Sequence, residues 1–433
     1  MVAITCCTLI TGISGGLTEV DWWSENNRTI AHTTIMALCI ICKAAPPDPK
    51  KPEHILLNAL GGREKTTKAL CSRCNNALGS GADKDLADSV QFLRNIANLK
   101  SGTGNSAPMI RSINSEGIKF NLESGAKPIL KSNGSSLSVE KVDRRIKVEI
   151  RASNADQFRE LLKGAARKLG IYDSQEIEKF VSHALTNGKA ERRLSPCPVV
   201  NQNFTFGDGK SKQSMAKSCL ALWNELVDNE EVCSSRYDLL RSFIQTDEDS
   251  GSHSHLSLCE LDYREINDYD KTFESHPNII WVGSNGSGRV LGYFRLYNII
   301  GCRFELAQKE APPNRSIYLV SNPFNTNIRK IQEGNFGQIS FEWLEKLDRK
   351  LKQDPENSTR SLQHFLSVAH DRTRDDFVKD IVYKAWNEAD IPEGECLTHD
   401  HVKILSEKIA IRLTPSITRK PLTVPLKINK GLT

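Results

Sequence analysis

Four cysteines stand as two Cys-x-x-Cys pairs near the start of the chain: Cys39 and Cys42 in "CIIC", and Cys71 and Cys74 in "CSRCNN". Each pair lets two thiolates meet one ion from a single tight turn. Two pairs supply the tetrahedral sulfur set that a structural Zn2+ takes. The mildly apolar start lacks a basic leader and is interrupted by Gly and Thr, so no secretory signal is expected; the compartment of the twelve cysteines is then expected to be reducing and cytoplasmic, where paired cysteines read as metal sites before disulfides. Twenty-eight residues separate Cys42 from Cys71, more than the roughly 15 to 20 of an ordinary zinc ribbon. The surplus must form something of its own, and it holds a Glu-His pair, Glu53–His54, in "PEHILLNALGG".

The order Cys-x-x-Cys, Glu-His, Gly-Gly, Leu-Cys-x-x-Cys-Asn resembles the zinc-bearing branch of the HNH endonucleases, the ββα-metal fold, over about residues 38–85. The resemblance implies roles position by position. His54 takes the place of the general base that activates water, and Glu53 that of the acidic ligand of a catalytic Mg2+ or Mn2+. Asn75, directly after the last cysteine, takes the place of the helix-borne ligand, with Asn76 one step away as the alternative. Gly61 and Gly62 match the loop after the histidine. Two positions depart from the pattern: Thr66 stands where the family commonly has its middle Asn, and Leu57 where a proline often follows.

These residue types suit hydrolysis of a phosphodiester. An imidazole has an ordinary pKa of about 6.5, near working pH. A carboxylate and an amide oxygen are hard ligands that leave positions on an octahedral cation for water and phosphate, and they do not compete with thiolates for zinc. A regular strand points neighbouring side chains to opposite faces, so Glu53 and His54 serve one cation only if the strand ends or bends there. The implied activity is cleavage of DNA, in a setting such as phage defence or restriction. A two-strand break needs two heads, hence an expected homodimer. The competing reading is a non-catalytic zinc module that binds nucleic acid or protein.

Composition sets the bounds. The chain has 433 residues, 39% hydrophobic and 26% charged, with a net charge of +5. That is a globular balance without a membrane-length apolar run. Residues 36–100 hold ten Lys or Arg against six Asp or Glu, and Lys43, Lys50, Lys51, Arg63, Lys65, Lys68 and Arg73 lie around the cysteine frame. Such a face grips phosphates, although a solvated surface has the same composition. The remaining cysteines show no ligand spacing and read as ordinary thiols. His253 and His255 in "GSHSH", and His399 and His401 in "THDH", lack further ligands and are set aside, as is the turn "SNGSGR".

The elements that must position these residues follow from periodicity, and the expected class is α+β. Residues 1–35 carry no period and are expected to be a disordered leader before Met36; the nuclease module spans 36–100. "DKDLADSVQFLRNIANL" (83–99) has helical spacing with Asp83 as N-cap. Residues 100–114 read as a linker. Alternating stretches in 117–152, helices over 156–170, 174–188 and 213–227, and two apolar runs split by "NGSG" over 278–308 make a mixed α+β region, 101–335, of unknown role. The stripe Met215, Cys219, Leu222, Leu226 reads as core. Residues 336–433 read as mainly helical with a loose tail. The two larger regions are expected to recognise a target, a partner or a regulatory ligand.

Overall fold

The computed structural model describes residues 37–115, 118–130, 136–142, 145–152, 155–188, 190–194, 200, 210–246, 258–346, 355–392, 394, 396–418, 420 and 422–426. The expected leader and the His253–His255 stretch lie outside them.

The architecture is α+β, with a small cysteine-bearing module, a larger mixed region and a helical C-terminal part. Two short antiparallel strands open the module, β1 (Glu53–His54) and β2 (Lys65–Thr66), followed by α1 (Ser72–Ser80), α2 (Ala82–Ser89) and α3 (Gln91–Ile96). The helix expected over 83–99 is therefore two, broken at the buried Val90. Gly81, not Asp83, is the N-cap of α2. Asp83 is drawn inward by a buried ammonium described below, so its carboxylate is not free to cap. The stretch expected to be a linker is anchored at its start, where Ser101 is buried and the Gly102 amide donates to Asn58 O at 2.9 Å, while residues 103–106 are exposed.

Strands β3 (Ile110–Ser115), β4 (Ile118–Glu123) and β5 (Lys127–Leu130) form a three-stranded sheet, and β6 (Ser136–Val142) pairs with β7 (Arg145–Arg151). Helices α4 (Ala155–Lys168) and α5 (Ser174–Asn187) close a small core of their own around Leu162, Ala166, Ile177 and Val181. Strand β8 (Ala190–Leu194) pairs with the last strand among the described residues.

Helix α6 (Ser211–Leu226) is the keystone, followed by α7 (Asn229–Val232) and α8 (Asp238–Gln245). Thirteen of the sixteen α6 residues are buried. A helix buried on all sides must be covered on all sides. One side lies on an antiparallel sheet of order β14-β13-β10-β11-β12-β9, made of β9 (Cys259–Asp262), β10 (Asn278–Ser284), β11 (Val290–Leu296), β12 (Ile300–Ala307), β13 (Ser316–Asn322) and β14 (Asn325–Glu333). A Cβ on Gly292 of β11 would stand 2.9 Å from Cys219 Cβ, so the glycine admits the helix to close range. The other side of α6 carries the cysteine module, and Ile40, Leu56, Leu78, Leu86 and Leu93 share one core with Met215, Leu220, Trp223, Ile280, Phe294 and Leu319.

Ile279, Trp281, Tyr293 and Tyr318 point to the opposite face of the sheet, under Phe336, Phe341 and Leu344. Burial on both faces explains why "NIIWVGS" reads as an unbroken apolar run rather than an alternation. Helix α9 (Phe341–Glu345) belongs to that second layer. The C-terminal part is the long α10 (Pro355–Ala389) against α11 (His399–Thr418), with Phe365 and Ala369 of α10 entering the main core. Of the tail expected to be loose, residues 422–426 form β15 (Leu422–Leu426), antiparallel to β8, and the rest lies outside the described residues. No helix among the described residues is long and apolar enough to cross a membrane.

Candidate nuclease site and zinc clamp

The two cysteine pairs are brought together by backbone hydrogen bonds between distant segments. The turn after Cys39 closes with Lys43 N donating to Cys39 O at 2.9 Å, and Lys43 takes the left-handed region at φ 54. The Cys39 amide bonds Ala45 O at 2.8 Å, and the Ile40 amide bonds Ala69 O at 2.9 Å, which lays the first turn beside the approach to the second pair. Cys71 is the N-cap residue of α1 and Cys74 lies in its first turn. Asp48 reaches across to accept from the Ser72 hydroxyl.

As a result the four Sγ atoms all lie within 4.8 Å of one another, with Cys39, Cys71 and Cys74 buried and Cys42 partly exposed. Burial pushes the Cys74 and Cys39 thiols up. Burial opposes ionisation of Cys42 too, yet the Ala44 amide and the neighbouring thiols bring it down to about 7. Crowded sulfurs of this kind fit a tetrahedral Zn2+, which replaces their protons and relieves their mutual repulsion. His399 and His401, at the start of α11, are not part of any such cluster; among the described residues the four cysteines form the one group of three or more ligand side chains.

Strand β1 pairs with β2 in a register that sets Glu53 opposite Thr66 and His54 opposite Lys65. Thr66, at the position of the family's middle residue, is buried, and its hydroxyl accepts from the Lys68 amide at 3.2 Å. His54 is half-buried, and its Nε2 is enclosed without a hydrogen-bond partner among the described residues. Burial first, and then the positive charges of Lys65 and Lys217, hold its pKa down at about 4. The imidazole is therefore neutral near pH 7, and a weaker base than a free histidine.

Glu53 is 5% exposed and does not stand alone. Its Oε1 accepts from Lys217 Nζ of α6 at 2.5 Å. The same ammonium lies 2.7 Å from each carboxylate oxygen of Asp83, and the Ser214 hydroxyl donates to Asp83 Oδ1 at 2.6 Å. Ser214, Lys217 and Asn224, spaced by three and seven, make one polar stripe along α6 facing the module, and Asn224 Nδ2 donates to Lys68 O at 3.4 Å. Lys217 keeps its proton because two carboxylates outweigh the desolvation that burial imposes. Burial in turn raises the Glu53 carboxyl, against the pull of Lys217.

Asn75 is held by its amide nitrogen, which donates to Lys51 O at 3.1 Å, two residues before Glu53. Asn76 is exposed. The donor types fit a hard divalent cation, but Glu53 does not wait with a free charge. Asp83 and Lys217 are the two site residues that the sequence reading missed. The signal was present: a lysine in the middle of the apolar helix "SMAKSCLALW" requires a buried acid somewhere in the fold.

The loop after His54 is tied to the large sheet. Asn278 Nδ2 donates to Leu60 O at 3.1 Å, Arg329 Nε to Glu64 Oε1 at 2.5 Å, and Arg63 to Asn327. Lys50, Lys51, Arg63, Lys65, Lys68 and Arg73 are exposed, whereas Lys43 is paired with Asp238 at 2.7 Å.

Searches of the curated proteins and of the solved structures find no match to the chain. The family model described as HNH endonuclease matches residues 39–91, from the first cysteine to the start of α3. Cysteine clamp, β1–β2 pair and following helices thus coincide with the matched stretch, and residues 39–91 of this chain form an HNH endonuclease-type module.

Proposed function

We propose that the protein is a metal-dependent endonuclease that hydrolyses phosphodiester bonds in DNA, with the Cys39–Cys42–Cys71–Cys74 zinc as a structural brace. His54 acts as general base, and Glu53 and Asn75 hold a catalytic Mg2+ or Mn2+. The observation that carries this reading is His54 itself: a neutral imidazole with an unpartnered, enclosed Nε2, fixed beside a buried carboxylate inside a module matched by the family. An unpartnered ring nitrogen does not by itself mark a base, since Nε2 of the buried His276 is unpartnered too; what singles out His54 is its place inside the stretch matched by the family model.

A bound cation would supply positive charge to the scissile phosphate and the leaving oxygen. The chain's own work is to orient the imbalance of charge. The β1–β2 register fixes the imidazole backbone, and the exposed Lys65 opposite His54 and the nearby Lys50, Lys51, Lys68 and Arg73 receive the DNA backbone. Phage defence or restriction is the setting that this activity suggests, with the remainder of the chain recognising target, partner or ligand.

The second reading is a zinc module that binds nucleic acid or protein without cutting. Its support is that one expected cation ligand, Glu53, is already paired with Lys217 within the chain; the Asn75 bond to Lys51 O uses Nδ2 and not the Oδ1 that would meet a cation. Plasmid nicking or cleavage by the full chain under Mg2+ or Mn2+ separates the two. On the nuclease reading, His54→Ala loses about 100-fold or more of the rate, in line with the usual contribution of a general base, while one zinc per chain is retained. DNA binding with no cut under either metal leaves the second reading standing.

A further inference from the structure

Glu53 already has a cation. Lys217 Nζ contacts Glu53 Oε1 and both oxygens of Asp83, and all three side chains are buried. The ammonium has no route out. Its helix is wedged between the module and the sheet, with Cys219 against Gly292 on one side and Trp223 Nε1 bonded to Tyr237 OH at 2.7 Å further along. Lys217 is a permanent occupant rather than a gate.

Resting on the nuclease reading above, we propose that Lys217 is the resident counter-cation of the site, and that it makes loading of the divalent metal depend on the arrival of a phosphodiester. Two carboxylates and one ammonium leave a single net negative charge, enclosed and shared among three groups. A dication approaching Glu53 therefore meets a carboxylate whose charge is largely spent, and meets an ammonium bonded to that same carboxylate. A phosphate brings the missing negative charge to the cation from the substrate side. By linkage, metal and DNA then raise each other's affinity by the same factor. Asp83 has a part in this balance: it divides the ammonium's attention, so Glu53 is not wholly neutralised.

The test uses the full, zinc-loaded chain and reads Mn2+ binding from the loss of the aqua-Mn2+ EPR signal. Titrations are made alone and with a phosphorothioate duplex, corrected for Mn2+ held by the duplex itself. The expected result is at least tenfold tighter Mn2+ binding with the duplex. Lys217→Met, checked for zinc content and circular dichroism, binds Mn2+ at least tenfold tighter without DNA and loses most of the DNA dependence. Asp83→Asn moves the other way: it concentrates Lys217 on Glu53, weakens Mn2+ binding in the free protein, and keeps the DNA dependence. Should Lys217→Met fail to fold, the wild-type linkage and Asp83→Asn still decide. Equal Mn2+ affinity with and without duplex, in a protein that cuts DNA, overturns the Lys217 proposal and leaves the nuclease reading intact. No Mn2+ binding under any condition, together with no cleavage, removes both.

Discussion

Replacing Gly62 by alanine tests how the loop behind His54 is held. After β1 the chain makes a short 3-10 turn, Asn58–Leu60, and leaves it through Gly61 at φ 90. Gly62 then passes beneath the carbonyl of Leu56: a Cβ there would stand 1.8 Å from Leu56 O and 2.5 Å from its carbon. Gly102 in turn lies on Gly62, with a Cβ position 1.8 Å from Gly62 O. Both collisions are with backbone, so no side-chain rotation relieves them. One strand of the loop must shift by more than an ångström. That endangers the bonds from Gly62 N to Leu57 O and from Gly102 N to Asn58 O, at 3.1 and 2.9 Å. Overpacking of a close-packed site costs about 1–3 kcal/mol and each buried hydrogen bond about 0.5–1.5 kcal/mol. We expect Gly62→Ala to lose about 3 kcal/mol in urea unfolding, with zinc retained, since the clash does not involve the cysteine segments. Gly79→Ala is the control. Gly79 lies inside α1 with open space around its Cβ position, so the substitution stabilises by about 0.5–1 kcal/mol. A Gly62→Ala loss below about 1 kcal/mol, or an equal loss for Gly79→Ala, would refute the reasoning.

Three further outcomes are expected. Metal analysis of the full chain gives one zinc, and Cys74→Ser or chelation lowers the unfolding midpoint of the protein in a single transition, because the clamp shares its core with α6 and the sheet. Separate transitions for module and sheet would contradict that. Phe365→Ala, at a fully buried ring stacked on Tyr297 at 5.4 Å, costs about 3–5 kcal/mol and speeds amide exchange along α10; unchanged exchange there would mean that α10 is anchored elsewhere. His276 is buried, with Nδ1 against Tyr297 O at 3.1 Å, and burial holds its pKa at about 4. Between pH 6.5 and 4 the unfolded chain binds a proton that the folded chain refuses. Stability therefore falls as pH drops through that window, by about 3 kcal/mol in all, and levels off below it; His276→Asn should flatten the slope in acid-range urea titrations, and an unaltered slope would assign it to other groups.

The cysteine clamp was legible because its signal is local: spacing alone brings two thiols to one ion. Helices α4, α5 and α6 were legible from periodicity, and β10 from a continuous apolar run ended by a turn. What was not legible depends on partners distant in sequence. The run after "NGSG" is two strands, β11 and β12, because Tyr297 and Asn298 both take positive φ, 48 and 51. A tyrosine gives no turn signal. The turn is held from outside, by Asn278 Oδ1 accepting from Tyr297 N and by Asn298 Nδ2 donating to Ile266 O and Ser275 O. Asp83 looked like a cap because only the local sequence was in view; its carboxylate answers a lysine more than a hundred residues later. The anchoring of the chain at Gly102 likewise depends on Asn58 and Gly62, and β15 on β8.

Helix α6 is at once the floor of the HNH-type module and the roof of the six-stranded sheet, and the β14 edge grips the loop next to His54 through Arg329 and Asn327. A head mounted this way has no swivel. Were a duplex to rest on the sheet or its edge, as the proposed function would allow, it would lie at a constant offset from the imidazole, as between the jaws of a locked caliper. On the proposed nuclease reading, the scissile bond would be selected by distance from wherever the rest of the chain takes hold, and the bases directly beneath the head would need to carry no message.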